Sequence, residues 1–178
     1  MLFVLYLCLG FLSFTSAFRG YPKYAVAYIS NRVSGVHGVV KFIQSAPTSV
    51  VRIEVNLKGL SPGYHGFHVH EFGSYGNQCE AAGEHFNPTK TIHGGPMDQR
   101  RHVGDLGNVW ANRQGIVKLA RNDRMIKLSG PYSIIGRSVV VHEKVDDFGT
   151  KGTLESLTSG SSGKRIGCGA IDLVRRYQ

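Results

Sequence analysis

The sequence has 178 residues, and its 19% charged and 42% hydrophobic content suits one folded domain and not a disordered chain. The formal net charge of +9 draws anions of every kind, from small substrates to acidic glycans, membranes and nucleic acid. Nothing in the sequence supplies a nucleic-acid motif or an aromatic stacking platform, so specific nucleic-acid recognition is set aside.

Residues 1–18 hold no Asp, Glu, Lys, Arg or His, and Met1 to Phe14 is almost wholly apolar. Thr15-Ser16-Ala17 then offers small residues for a peptidase. The sequence therefore predicts a secretory signal peptide over 1–17, a single mature domain over 18–178, and a secreted, extracellular protein. The run is short for a spanning helix, and no other segment is a transmembrane candidate. Cys8 falls in the leader, leaving Cys79 and Cys168. An even pair suits one disulfide in an oxidising compartment, with two separate buried thiols as the alternative.

Short strand-like runs follow. Tyr24 to Ile29 and Val39 to Ile43 are rich in β-branched and aromatic residues. Val51-Arg52-Ile53-Glu54-Val55-Asn56-Leu57-Lys58 alternates apolar and polar without a break, the pattern of a half-buried strand. Ser61-Pro62-Gly63 marks a turn, and Tyr64 to Glu71 reads as the next strand. Ile116 to Leu119, Met125 to Leu128, Ser138 to His142 and Ala170 to Leu173 read as further strands. Residues 72–107, with Gly, Asn, Pro and His, and residues 143–165, rich in Gly, Ser and Thr, carry no periodicity. Long irregular loops in a compact domain usually serve a function. About eight strands and two long loops predict an all-β fold, an antiparallel sandwich or barrel.

The eight histidines concentrate the chemistry. His68 and His70 lie two apart on an expected strand, so both rings point to one face while Phe67 and Val69 point to the other. His142 ends the run Val139-Val140-Val141 and offers a third nitrogen. His85, His93 and His102 follow in the irregular loop, with Asp105 three residues after His102. Three imidazoles and a carboxylate suit tetrahedral zinc, and a set of imidazoles alone suits copper. One imidazole shared between two metals would complete both sets, but spacing does not say whether it exists or which residue makes it. His37 reads as a surface residue and His65 as a hydrogen-bonded packing residue.

Gly66-Phe67-His68-Val69-His70-Glu71-Phe72-Gly73 resembles the first signature of the copper/zinc superoxide dismutase family, and Gly160-Ser161-Ser162-Gly163-Lys164-Arg165-Ile166-Gly167-Cys168-Gly169 resembles the second. His85-Phe86-Asn87-Pro88, His93-Gly94-Gly95-Pro96, Arg101-His102-Val103-Gly104-Asp105-Leu106-Gly107-Asn108 and Val140-Val141-His142-Glu143-Lys144 stand between them in matching order. The resemblance covers residues 24–173.

It implies an eight-stranded antiparallel Greek-key barrel and the conversion of superoxide to dioxygen and hydrogen peroxide by alternate reduction and oxidation of a histidine-bound copper. It implies copper at His68, His70, His85 and His142, and zinc at His85, His93, His102 and Asp105, with His85 bridging. Asp146 takes the position of a carboxylate that orients ligands of both metals. Cys79 and Cys168 match the family disulfide, and Arg165 matches the arginine that docks the anion. A homodimer is implied as well. The chain departs from the family at Thr153-Leu154-Glu155-Ser156-Leu157-Thr158, which holds one acid and no lysine, and at Asp172, a charge where the common dimer packs apolar residues. Arg175 and Arg176 form a basic tail, read first as a solvated terminus and second as a weak site for acidic glycans. The competing functional reading is a non-catalytic extracellular copper/zinc-binding module of the same fold.

Overall fold

The computed structural model describes residues 20–175. The expected leader with Cys8, and Arg176 of the basic tail, lie outside the described residues. Eight strands form: β1 (Lys23–Ser30), β2 (His37–Gln44), β3 (Val51–Lys58), β4 (Gly63–His70), β5 (Asp105–Ala111), β6 (Val117–Asp123), β7 (Ser138–His142) and β8 (Arg165–Val174). They make one antiparallel sheet in the order β5-β4-β7-β8-β1-β2-β3-β6. The two end strands are consecutive in sequence, and Arg121 Nη1 donates to the Asn108 carbonyl across them at 3.0 Å. The sheet is thus a nearly closed barrel, the expected all-β fold, which removes open edges. No helix among the described residues is long and apolar enough to cross a membrane.

The alternation read in Val51–Lys58 is the burial pattern of β3, whose Val51, Ile53, Val55 and Leu57 enter the core. Phe42, Phe67, Ile126 and Ile171 join them there. β4 differs, being buried on both faces from His65 to His70. Phe67 and Val69 face the core, and the long loops cover the histidine face.

Three expectations need correction. The stretch 72–107 is not irregular throughout, because β5 starts at Asp105. The left-handed Gly107 (φ 80°) and the polar Asp105 and Asn108 hide its alternation. Met125 to Leu128 is no strand. Asp123 Oδ1 accepts from the Met125 and Ile126 amides at 2.7 and 3.0 Å and bends the chain, and Ile126 and Leu128 fill the core from a turn. The second loop contains a short helix, α1 (Leu154–Ser159), and ends where Arg165 already lies in β8. Thr153 caps α1 by accepting from the Ser156 amide, and Gly160 closes it in the left-handed region.

Candidate metal centre

The first loop is stitched to β4 by backbone bonds. The Val69 amide donates to Gly104 O, the Phe86 amide to Val69 O, and the Gly104 amide to Phe86 O, at 2.8 to 2.9 Å. The Glu71 amide also donates to Glu84 O at 2.9 Å, which folds the chain back and sets His85 beside His70. Arg101 is buried behind this hub, donating to Asp123 Oδ2 at 2.5 Å and to the Asp105 carbonyl at 2.7 Å. On the other side, irregularities in register fall between Gly66 and His68 on β4 and between Val141 and His142 on β7. Bulges of this kind re-aim side chains next to active sites.

The seven residues read from the sequence as ligands come together in two groups that share one ring. His68, His70, His85 and His142 form the first, and His85, His93, His102 and Asp105 the second. All are buried. Asp146 lies between the groups, with Oδ2 accepting from His68 Nε2 at 2.9 Å and Oδ1 accepting from His93 Nε2 at 2.7 Å. His37 is exposed, and His65 is buried against the His142 carbonyl at 2.8 Å, as expected.

Hydrogen-bond partners assign the ring protons. His70 Nδ1 donates to Gly83 O at 2.8 Å and His142 Nδ1 to Gly163 O at 3.1 Å. Their Nε2 atoms therefore both present lone pairs, 3.2 Å apart. His68 donates through Nε2, so Nδ1 is its lone-pair atom. His68 Nδ1 and His85 Nε2 are buried without a hydrogen-bond partner. Four converging acceptors with no donor among them are costly unless a cation joins them.

In the second group Asp105 Oδ1 lies 2.8 Å from His85 Nδ1, 3.0 Å from His93 Nδ1 and 3.1 Å from His102 Nδ1. Ligands about 2.0 Å from a tetrahedral zinc sit about 3.3 Å from one another, close to these separations. Asp105 Oδ2 is held by the His102 and Gly94 amides at 2.8 and 3.1 Å, which leaves Oδ1 for the group. The donor sets would suit two metal ions, and His85 belongs to both sets, with Nδ1 beside Asp105 and Nε2 without a hydrogen-bond partner.

The electrostatics of the four-histidine group agree. Burial holds His68 down at about 4 against the pull of Asp146, and His142 adds to the lowering. His85 and His142 fall to about 3, again through burial first, and His70 is held well below its ordinary value. These rings are neutral at neutral pH, the form that binds metal. Burial works against the charge of His93 too, but its contacts with Asp105 and Asp146 outweigh it and raise the ring to about 9. Burial opposes the ionisation of Asp105 and Asp146, yet their histidine partners keep both well below the usual carboxylate range.

Cys79 and Cys168 are bonded to each other. Their bridge ties the short 3-10 turn Cys79–Ala82 to β8, where Arg165 pairs in register with His142. Arg165 Nη1 donates to the carbonyls of Cys79 and Glu80 at 3.1 and 3.2 Å, so the turn fixes the guanidinium.

The sequence did not single out three features of the site. Asn108 brackets Asp146, accepting from its amide at 2.8 Å and donating to its carbonyl at 2.9 Å. Gly160 leaves room for the same carboxylate: a Cβ there would run into Asp146 Oδ1 and His93 Nε2, and its φ of 66° already disfavours a side chain. Glu80 and Glu84 stand beside Arg165. The helix-closing glycine after Thr153-Leu154-Glu155-Ser156 was a readable signal for the second feature. Neither of the others had one.

The family model described as copper/zinc superoxide dismutase matches residues 36–171. A curated relative from Arabidopsis thaliana, superoxide dismutase [Cu-Zn] 3, is 44% identical over 149 residues, covering 84% of this chain and 90% of the relative. The superoxide dismutase [Cu-Zn] of Saccharomyces cerevisiae is 48% identical over 142 residues, covering 79% and 92%. The extracellular superoxide dismutase [Cu-Zn] of Onchocerca volvulus is 45% identical over 145 residues, covering 79% and 72%. With a matched barrel, two donor groups that suit two metals, and relatives at this identity over most of their length, the chain belongs to the copper/zinc superoxide dismutase family.

Proposed function

We propose that His68, His70, His85 and His142 hold copper, that His85, His93, His102 and Asp105 hold zinc, and that the protein so loaded is a superoxide dismutase. The His85 ring, placed in both donor groups, carries this reading. Four imidazoles suit copper, and three imidazoles with one carboxylate suit zinc. The curated relatives are named as dismutases, which favours catalysis over a binding module without activity.

In the reaction two superoxide anions and two protons become one dioxygen and one hydrogen peroxide. Copper, when bound, supplies the one-electron acceptor and donor this requires, and zinc supplies fixed charge without redox change. The chain does the rest. Arg165, held by two carbonyls opposite His142, offers a fixed cation for the incoming anion. Its charge also helps to hold His70 and His142 neutral. His85 Nδ1 is held by Asp105, which leaves the Nε2 lone pair directed at the four-histidine group. Asp146 orients His68 and His93 together. Protein over residues 18–178, given copper and zinc, is expected to take up one of each per chain and to remove superoxide with a rate that falls as salt rises. Full metal content without superoxide decay would overturn the assignment.

Secretion, pairing and surface attachment belong to the same reading. The apolar leader and the name of the Onchocerca volvulus relative support export. For a homodimer, Tyr28 and Phe72 are exposed large side chains, and Gly73 lies close against the Gly136 carbonyl, where a Cβ would not fit. Asp172 lies exposed on β8, paired with Val26 on β1. Sedimentation at micromolar concentration is expected to give the mass of two chains, and retention on heparin that salt reverses is expected from the net charge. A single-chain mass or free passage over heparin removes the corresponding part.

A further inference from the structure

Arg165 does not stand alone as a cation. Glu80 Oε2 lies 3.7 Å from its Nε, and Glu84 Oε1 lies 4.0 Å from its Nη2. Both glutamate side chains are 84% exposed, whereas Arg165 is 13% exposed. The arginine donates hydrogen bonds to the Cys79 and Glu80 carbonyls, and the two exposed carboxylates lie at its rim at ion-pair distance. Glu80 belongs to the turn that the disulfide ties down, and Glu84 immediately precedes His85. Their positions relative to Arg165 and the four-histidine group are therefore set by the fold. A chain of net charge +9 thus places two negative charges where an anion reaches its most specific cation.

We propose that Glu80 and Glu84 form a carboxylate rim on Arg165 that makes the site selective for monoanions over dianions. The inference rests on the dismutase reading given above. The physical reason is that repulsion from a fixed charge grows in proportion to the charge of the visitor. An unscreened guanidinium beside a metal prefers a dianion such as sulfate to a monoanion, and a dianion seated there blocks the reaction. Two carboxylates next to the guanidinium penalise the dianion twice as strongly in free energy as the monoanion. The cost is a lower attraction for superoxide itself. The carboxylates are solvated, so the effect is moderate and depends on salt. Glu80 and Glu84 act through the field at Arg165 and are positioning residues, with no contact to substrate required.

The test uses the copper- and zinc-loaded protein with azide as the monoanion and sulfate as the dianion. Azide affinity is read from the copper absorption band and sulfate affinity from competition with azide, at low and constant ionic strength. In the Glu80→Gln/Glu84→Gln double variant, azide is expected to bind about twofold tighter and sulfate about fourfold tighter. The superoxide rate is expected to rise about twofold at low salt and to meet the parent rate at high salt. Glu80→Asp/Glu84→Asp, which keeps the charge, is expected to stay near the parent in both affinities, and Glu54→Gln on distant β3 to change nothing. Equal gains for azide and sulfate, or a rate that falls at every salt concentration, would mean that the glutamates hold Arg165 structurally and would overturn the rim while leaving the dismutase reading intact. A parent protein that is fully loaded but neither binds azide nor removes superoxide would sink both.

Discussion

Replacing His142 by alanine is expected to lower superoxide dismutation by more than about a hundredfold, since losing even a residue that merely supports a metal ligand costs about ten- to a hundredfold. His142 supplies one of two Nε2 atoms that face each other 3.2 Å apart, and its ring is fixed by the Gly163 carbonyl. Among the described residues no further histidine, cysteine, aspartate or glutamate belongs to the four-histidine group. The variant also separates the two donor groups, because His142 belongs only to the first. Zinc content should stay near one per chain while copper content and activity fall together. The measurement is superoxide decay beside metal analysis, with far-ultraviolet circular dichroism to confirm the barrel. Activity within a few-fold of the parent at full copper content would show that the four-histidine group is not where copper works.

The second large effect concerns the bridge between Cys79 and Cys168, which are 89 residues apart. Cross-linking at that separation restricts the unfolded chain, and the Cys79→Ser/Cys168→Ser variant is expected to lose about 4–5 kcal/mol. For a domain of this size the midpoint of thermal unfolding should fall by about 10–20 °C. Activity should fall as well, for a local reason. The bridge packs with Ala82 and Val140 and anchors the turn whose carbonyls hold Arg165. Differential scanning calorimetry and superoxide decay check the two parts. An unchanged midpoint would show that the turn is secured without the bridge, and lost stability with full activity would show that Arg165 keeps its place by other means.

The sequence made some of this legible and hid the rest for identifiable reasons. The alternation of Val51–Lys58 displayed β3 because one of its faces meets water. The two-residue spacing of His68 and His70 placed both rings on one face because a strand repeats every two residues. β5 escaped because its first residues serve the metal site and the loop packing, so their types follow those duties and not burial. The apolar run Met125 to Leu128 imitated a strand because core burial is what such a run records, whatever the backbone does. α1 was lost in a Gly-, Ser- and Thr-rich stretch because a helix of six residues leaves too few positions for a period. That one histidine belongs to both donor groups could be posed from the count of ligands but not assigned by spacing. Its place depends on backbone bonds of the loop to Val69, which no local pattern encodes. Glu80 and Glu84 carry no sequence signal of their own, because only the folded turn brings them to an arginine about 80 residues further on.

Those same bonds at Val69 bear on how the molecule opens. Long surface loops ordinarily fluctuate on their own, at a small fraction of the free energy that unfolds a whole domain. Here the loop between β4 and β5 lends Phe86 and Val103 to the core and exchanges amide bonds with Val69 near the end of β4. It cannot lift away without exposing apolar interior and unpairing β4. Loop and barrel therefore form one cooperative unit, and amide protons of Phe86 and Gly104 should exchange with solvent as slowly as those of the strands.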